Sequence, residues 1–215
     1  MPKHSSFLFF LFAISSTILS GCATKPSNEP PIVIVQHNAA QRAALLTQIN
    51  QWNLRGKIAF IEQRKDQTSK RESANIAWQV NETNQTQELN LTSYLGINVL
   101  HLASEKNNHL IKVNGKEYKA NNLAHLVYSL TGLTLPTKAL NFWLKGLPYQ
   151  PSDQVELSTV NQLPLTLTSQ LENVQWQIDY GKYQLFDGLQ MATHFTIKKD
   201  GLLIKIAIKK WSLTR

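Results

Sequence analysis

Cys22 is the only cysteine of the chain, and it places a thiol directly after Leu19-Ser20-Gly21. Lys3 stands near the start, an apolar run extends from Phe7 to Ile18, and small residues follow that run. A basic start, an apolar middle and small residues at the cleavage point are the layout of a secretory signal peptide. A plain signal peptide needs no thiol after that point, so the pattern points to covalent modification of the cysteine sulfur.

Two other interpretations of this segment remain open. The apolar run is about a dozen residues long, whereas a transmembrane helix needs roughly 20. A cysteine of the core or of a redox pair is the second alternative. Cys22, however, has no cysteine with which to form an internal disulfide, and it lies beside a stretch rich in Pro, Ser and Asn.

The segment Leu19–Cys22 resembles the lipobox of bacterial lipoproteins. This resemblance implies that the Cys22 sulfur receives a diacylglycerol, that the preceding segment is cleaved, and that the new amino terminus is acylated. We therefore expect a lipoprotein signal peptide over 1–21 and a lipid-anchored flexible tether over 22–36. Pro26, Pro30 and Pro31 exclude a helix from the tether. One folded domain is expected over 37–215, which is long enough to bury a core without disulfides.

The chain is basic, with a formal net charge of +8. Removal of 1–21 takes away Lys3 and no carboxylate, so the mature part keeps about +7. A basic surface favours nucleic acid, an anionic membrane surface or an acidic partner. The positive residues are scattered without a nucleic-acid motif, and an exported protein does not meet nucleic acid. The membrane surface and the acidic partner remain.

Alternating apolar and polar residues predict a mainly antiparallel sheet. A first helix is expected from His37 to about Asn53, and the sheet is expected to begin at Arg55, with a bulge or a close backbone approach at Gly56. Asn114-Gly115 predicts a two-residue hairpin turn. Two helices interrupt the sheet, one capped by Asn121 or Asn122 and ended by Gly132, the other opened by Pro136 or Thr137 and ended at Gly146-Leu147-Pro148. The later strands are predicted at Leu163–Gln170, Val174–Tyr180, Leu189–Lys198 and Leu202–Leu213. This pattern predicts a mainly β (α+β) fold, an open or partial barrel with an apolar concave face.

Catalytic motifs do not stand out in the sequence. It contains no G-x-S-x-G elbow, no H-E-x-x-H, no P-loop and no cysteine pair, and its six histidines lie apart. We expect no enzyme, no cofactor and no metal site. Five tryptophans and many aliphatic strand faces are instead suited to burying apolar material, either the protein's own core or a bound guest.

Several segments follow the lipobox in a fixed order. They are Trp52-x-x-Arg55-Gly56-Lys57-Ile58-Ala59, Ala74-Asn75-Ile76-Ala77-Trp78, Leu89-x-Leu91-Thr92-x-x-Leu95-Gly96, Leu130-Thr131-Gly132, Trp143-Leu144-x-Gly146-Leu147-Pro148 and a last basic-apolar strand with Trp211. This order resembles the LolB family of outer-membrane lipoprotein receptors. The resemblance covers nearly all of the mature chain, and Tyr94 stands where the family often has proline.

The resemblance implies an unclosed antiparallel β-barrel whose helices cover an apolar cavity. It further implies a monomer, anchored in the inner leaflet of the outer membrane and facing the periplasm, that accepts lipoproteins from the carrier LolA and inserts them. The absence of Asp after Cys22 agrees with outer-membrane sorting. Leu95 and Gly96 would form a membrane-insertion loop. The candidates for the acyl cavity are Trp78, Leu89, Leu91, Trp143, Trp176, Ile204, Ile206 and Trp211.

Two alternatives remain open at this stage. The first is a tethered binding or scaffold lipoprotein with a solid barrel core, in which each of these tryptophans is an ordinary core residue. The second is an envelope hydrolase whose residues come together only in space. In either case Leu95 is a turn residue that folds back onto the core.

Overall fold

The computed structural model describes residues 37–63, 69–131 and 135–214. The predicted signal peptide, Cys22, the tether and Gly132 lie outside these residues. Within them there are three helices and eleven strands. The elements, in chain order, are α1 (Ala39–Thr47), β1 (Gln51–Gln63), β2 (Ser69–Asn81), β3 (Thr86–Thr92), β4 (Asn98–Glu105), β5 (Asn108–Val113), β6 (Lys116–Ala120), α2 (Leu123–Thr131), α3 (Thr137–Trp143), β7 (Gln154–Leu157), β8 (Pro164–Leu171), β9 (Val174–Phe186), β10 (Leu189–Lys199) and β11 (Leu202–Thr214).

All eleven strands form one antiparallel sheet, in the order β6-β5-β4-β3-β2-β1-β11-β10-β9-β8-β7. The first and last strands, β1 and β11, pair with each other near its centre. The two edges do not pair, so the sheet is unclosed, as predicted. Both edge strands are short, with five residues in β6 and four in β7. Short edges limit the backbone available for pairing with another chain.

The alternation in β11 determines which face of the sheet is buried. Leu202, Ile204, Ile206 and Ile208 point to the face that carries the helices and are buried, whereas Lys205 is exposed on the other face. Opposed residues of neighbouring strands share a face, so this register continues the apolar side from strand to strand. We call the two sides of the sheet the helix-covered face and the open face.

Turn and cap residues behave as their chemistry predicts. Asn114 and Gly115 both have positive φ, 51° and 74°, as a two-residue hairpin turn requires. Asn122 caps α2 by accepting a hydrogen bond from the His125 backbone N–H at 3.0 Å. The third helix begins at Thr137, and Gly146 follows its end with φ of 73°. These short-range predictions are confirmed.

Several element boundaries differ from the sequence predictions. The first helix ends at Thr47, and β1 begins at Gln51 instead of Arg55. Strand β9 continues to Phe186, well beyond the predicted end at Tyr180, and the short strand β7 was not predicted. For β1 the reason is pairing: Trp52 and Leu54 lie opposite Leu213 and Trp211 of β11, a contact between distant parts of the sequence that local periodicity cannot reveal.

Two apolar clusters hold the helices on the sheet. The larger one joins α1 and α3 to β1, β2 and β8–β11, with Leu46, Leu140 and Trp143 as contributions from the helices. The smaller one joins α2 to β4 and β5 through five buried residues, namely Leu102, Ile111, Leu123, Leu126 and Val127. Burial of each such aliphatic side chain contributes about 1.5–3 kcal/mol.

Candidate functional site

The eight candidate cavity residues all lie on the helix-covered side of the molecule. Seven come from the sheet and Trp143 comes from α3. Trp78 of β2 faces Leu89 of β3, and Ile206 of β11 faces Ile58 of β1, so the candidates belong to a continuous apolar wall. Seven are buried and Leu89 is half-buried. Seven of them belong to one packed apolar cluster, and Leu89 packs against it.

All five tryptophans make aromatic contacts with one another, three in one group and two in a separate pair. Trp52 lies edge-on to Trp78, with ring centroids 5.3 Å apart, and also to Trp211 at 5.7 Å. Trp143 of α3 contacts Trp176 of β9 at 5.9 Å, which joins this helix to the sheet. Trp52 is absent from the candidates predicted from the sequence, because the predicted first helix extends to about Asn53. Its alternation with Leu54 is the signal that would have placed it on a strand.

Two buried indole N–H groups have no hydrogen-bond partner, those of Trp52 and Trp78. Two further indole N–H groups do have partners. That of Trp211 donates to the Ala192 carbonyl at 3.0 Å, and that of Trp143 donates to the Asp153 carboxylate at 3.1 Å. A buried donor without a partner costs about 1–3 kcal/mol. The wall therefore contains two donors that an incoming carbonyl oxygen would satisfy.

The apolar wall ends in a polar row at one end of β3–β5. Gln87, Ser104 and His109 lie opposite one another in register and line a cleft of about 920 Å³, together with Trp52 and Val80. His109 Nδ1 lies 2.9 Å from Ser104 Oγ, while Gln87 Oε1 is buried without a partner. Burial, followed by the nearby Lys138 charge, lowers the pKa of His109. The site thus has an apolar wall with a polar end.

A buried arginine connects α1 to the rest of the domain. Arg42 is only 4% exposed. Its Nε donates to the Gln190 carbonyl at 2.9 Å and its Nη2 to the Lys145 carbonyl at 3.2 Å, while the guanidinium lies over the Tyr183 ring. Burial lowers the pKa of Arg42 and raises that of Tyr183. One side chain therefore joins α1, the segment after α3 and strand β10.

A buried lysine connects α3 to the sheet. Lys145, directly after α3, is 1% exposed, and its Nζ lies 2.9 Å from Glu82 Oε1 in the turn between β2 and β3. The ammonium group also lies 5.5 Å from the centre of the Phe142 ring. Neither Arg42 nor Lys145 was singled out from the sequence, since their partners are far away along the chain. Both fix helices over the apolar wall.

The loop between β3 and β4 exposes apolar side chains. Tyr94 is 93% exposed and Leu95 is 80% exposed. The loop is nevertheless held in one shape: Ser93 N–H donates to the Ile97 carbonyl at 2.8 Å, Gly96 N–H to the Ser93 carbonyl at 3.0 Å, and Asn75 Nδ2 to the same Ser93 carbonyl at 3.1 Å. Leu95 is therefore not folded back onto the core, and the loop presents it to the surroundings.

The described residues contain no group of three or more His, Cys, Asp or Glu side chains arranged to hold a metal ion. Over the same parts of the chain, no helix is long and apolar enough to span a bilayer.

Comparison with known proteins identifies the family to which this chain is similar. A family model described as Outer membrane lipoprotein LolB matches residues 50–211. The protein named Outer-membrane lipoprotein LolB of Psychromonas ingrahamii is 34% identical over 210 residues, which cover 97% of this chain and 95% of that protein. Its namesake from Aeromonas hydrophila is 32% identical over 200 residues, covering 92% of this chain and 93% of the relative.

Solved structures share the fold at low sequence identity. A domain from Vibrio parahaemolyticus, provisionally described as an outer membrane lipoprotein-sorting protein domain, has a TM-score of 0.51 at 8% identity, over 82% of this chain and 91% of that one. A DUF1329 family protein from Desulfovibrio piger has the same TM-score and identity, over 81% and 90% of the two chains. With the family model matched over most of the domain and relatives over nearly its whole length, the chain belongs to the LolB family of outer-membrane lipoproteins.

Proposed function

We propose that this protein is an outer-membrane receptor that accepts lipoproteins from the periplasmic carrier LolA and inserts them into the inner leaflet of that membrane. The observation that carries the proposal is the Tyr94-Leu95 loop, which is apolar, exposed and held in shape by hydrogen bonds. Turn chemistry normally selects polar residues at such a position. The chain would be a monomer, held at the periplasmic side by acyl groups on Cys22 through the tether 22–36.

The helix-covered face is the proposed place for the acyl chains of the cargo. The predicted cavity residues, among them Trp78, Trp176 and Ile206, lie on one apolar wall, and each methylene buried there contributes about 0.8 kcal/mol. Because these side chains pack against one another and against α1 and α3, acyl chains would enter as a helix moves aside. The unpaired indole N–H groups of Trp52 and Trp78 would then donate to ester carbonyls of the guest.

The handover would run downhill without a chemical step. A receptor takes acyl chains from a carrier when its affinity for them is the greater one. The net positive charge of the mature chain would raise the rate of encounter with an acidic carrier. Leu95 would then enter the headgroup region, where transfer of a leucine side chain contributes about 1.5–3 kcal/mol, enough to favour release without anchoring the protein.

The test is a two-step transfer assay with Leu95→Glu. The purified chain is mixed with a carrier-bound lipoprotein, and the loaded receptor is then given liposomes of neutral lipid. We expect the variant to accept cargo normally and to deliver it poorly, since a carboxylate opposes insertion at that depth. Val160→Glu is the matched control, because Val160 is a 90% exposed apolar residue in a different loop.

Three outcomes would count against the proposal. Normal delivery by Leu95→Glu removes the membrane role of the loop, and an equal defect in Val160→Glu shows that any added charge has this effect. Failure to accept cargo at all assigns Leu95 to the fold and not to the membrane step. If a well-folded wild-type chain binds no fatty-acyl probe, the alternative of a tethered scaffold lipoprotein with a solid core explains the protein better.

A further inference from the structure

The open face of the sheet carries a groove that the transfer mechanism does not use. It has a volume of about 640 Å³ and crosses strands β2, β1, β11 and β10. Its floor consists of small side chains, since Ala59 and Ala207 stand where longer ones would fill it. Asn75 also lines the groove, and its carboxamide donates to the Ser93 carbonyl, so the groove begins at the base of the Tyr94-Leu95 loop.

The chemistry of this groove is that of an anion site. Lys57, Arg71 and Lys205 line it, and no carboxylate does. All three are exposed, and the ion pairs found in the described residues include none of them. Lys57 faces Ala207 and Lys205 faces Ala59 across the β1–β11 pair, which makes the two lysines diagonal neighbours on one face.

The remaining polar groups around the groove are hydrogen-bonding groups that suit a phosphate. Ser73, Thr196 and Tyr94 supply hydroxyl groups and His194 an imidazole. A carboxylate on this side, that of Asp179, stands opposite Thr196 and is already paired with Lys198, with Nζ and Oδ2 2.6 Å apart. The positive charge of the groove is therefore not balanced from within the described part of the chain.

We infer that this groove, lined by Lys57, Arg71 and Lys205, binds the phosphate headgroup of an anionic glycerophospholipid of the target membrane. The inference rests on the proposed function, because that function brings the neighbouring loop to a bilayer. With Leu95 in the headgroup region, the adjoining groove lies at the level of lipid phosphates. Lysines near an anionic surface each contribute about 1 kcal/mol to binding. The headgroup would thereby fix the orientation in which the loop meets the bilayer.

The experiment measures how fast an amine-specific reagent labels each lysine of the full chain in detergent, read by mass spectrometry. Three additives are compared: short-chain phosphatidylglycerol, short-chain phosphatidylcholine and inorganic phosphate. We expect phosphatidylglycerol alone to slow the labelling of Lys57 and Lys205. Lys106 and Lys116, exposed lysines at hairpin turns, are the internal controls and should keep their rates.

A double variant, Lys57→Gln with Lys205→Gln, provides the second measurement. Its affinity for phosphatidylglycerol should fall about 30-fold, which corresponds to roughly 1 kcal/mol for each lysine. The matched variant, Lys106→Gln with Lys116→Gln, should bind as the wild type does. The Arg71→Gln variant should lower the affinity further when added to the double variant.

Each other result overturns the inference. Equal protection by phosphatidylcholine removes the preference for a net anionic lipid, and equal protection by inorganic phosphate assigns the groove to free phosphate. No protection removes the site. Because the transfer assay with Leu95→Glu uses neutral liposomes, it gives its answer whether or not the groove binds an anion, so failure of one proposal is distinguishable from failure of the other.

Discussion

At the scale of single residues, Gly56 shows how a missing side chain allows the central strands to meet. The β1–β11 register shifts between Arg55 and Gly56, and the strands approach closely there, so both features that the sequence offered for Gly56 are present. A β-carbon on Gly56 would lie 2.2 Å from the Ala207 carbonyl oxygen and 2.8 Å from the Ile208 α-carbon. Both are backbone atoms of a buried central strand, so they cannot move aside as a flexible side chain would.

Replacing Gly56 by alanine should therefore destabilise the domain. We expect Gly56→Ala to lower the free energy of unfolding by about 1–3 kcal/mol, the usual cost of overpacking. Gly181→Ala is the control, since a β-carbon there would meet only the His194 β-carbon, at 3.9 Å. That variant should be neutral or slightly stabilising, because alanine restricts the unfolded chain. Urea unfolding of both variants is the measurement. Equal free energies of unfolding for Gly56→Ala and Gly181→Ala would show that the β11 backbone shifts to accommodate the added β-carbon.

At the scale of elements, the helices are attached to the sheet by buried cations as well as by apolar contacts. Lys145 is nearly inaccessible, and its ammonium group depends on Glu82, whose side chain is 32% exposed. Removing one partner of such a pair leaves a buried charge that water reaches poorly. The cost is moderated here because solvent reaches the carboxylate side of the pair.

The Glu82→Gln variant tests this attachment, because the amide keeps the size of the side chain without its charge. We expect the free energy of unfolding to fall by about 1–3 kcal/mol. In Glu72→Gln, which breaks the exposed Lys70–Glu72 pair, the loss should stay within about 0–1 kcal/mol. Chemical denaturation compares the two. A loss as small as that of Glu72→Gln would mean that other groups solvate Lys145.

The sequence predicted those parts of the elements that depend on nearby residues. The alternation of apolar and polar residues predicted which side of β11 is buried, Asn114-Gly115 predicted a turn, and Asn122 was one of two predicted helix caps. It did not predict that β1 starts at Gln51, because Trp52 is held by pairing with a strand at the far end of the chain. Nor did it predict the Lys145–Glu82 contact, whose partners are 63 residues apart. Of the site, it predicted the apolar wall and the loop but neither the buried cations nor the groove.

At the scale of the whole molecule, the helices differ in how firmly they cover the sheet. Contacts with β9 hold α3. Trp143 is fully buried against Trp176, and its carbonyl accepts a hydrogen bond from the Tyr180 hydroxyl at 2.7 Å. The second helix rests on the smaller apolar cluster with β4 and β5. Segments with fewer buried apolar contacts open at lower free energy than the global core does. We therefore expect α2 to move before α3.

Hydrogen exchange of the full chain, followed by mass spectrometry, tests that order. Without ligand, peptide amides of α2 should exchange faster than those of α3, and addition of a fatty-acyl probe should change the exchange of α2 while α3 stays protected. The Leu126→Ala variant removes a buried contact of α2 and should accelerate exchange there alone. Its control is Tyr128→Ala, which alters an exposed residue of the same helix. If α3 exchanges first, or if the probe changes both helices equally, the guest enters by lifting α3, and the contacts of Lys145 and Trp143 would have to break during each round of transfer.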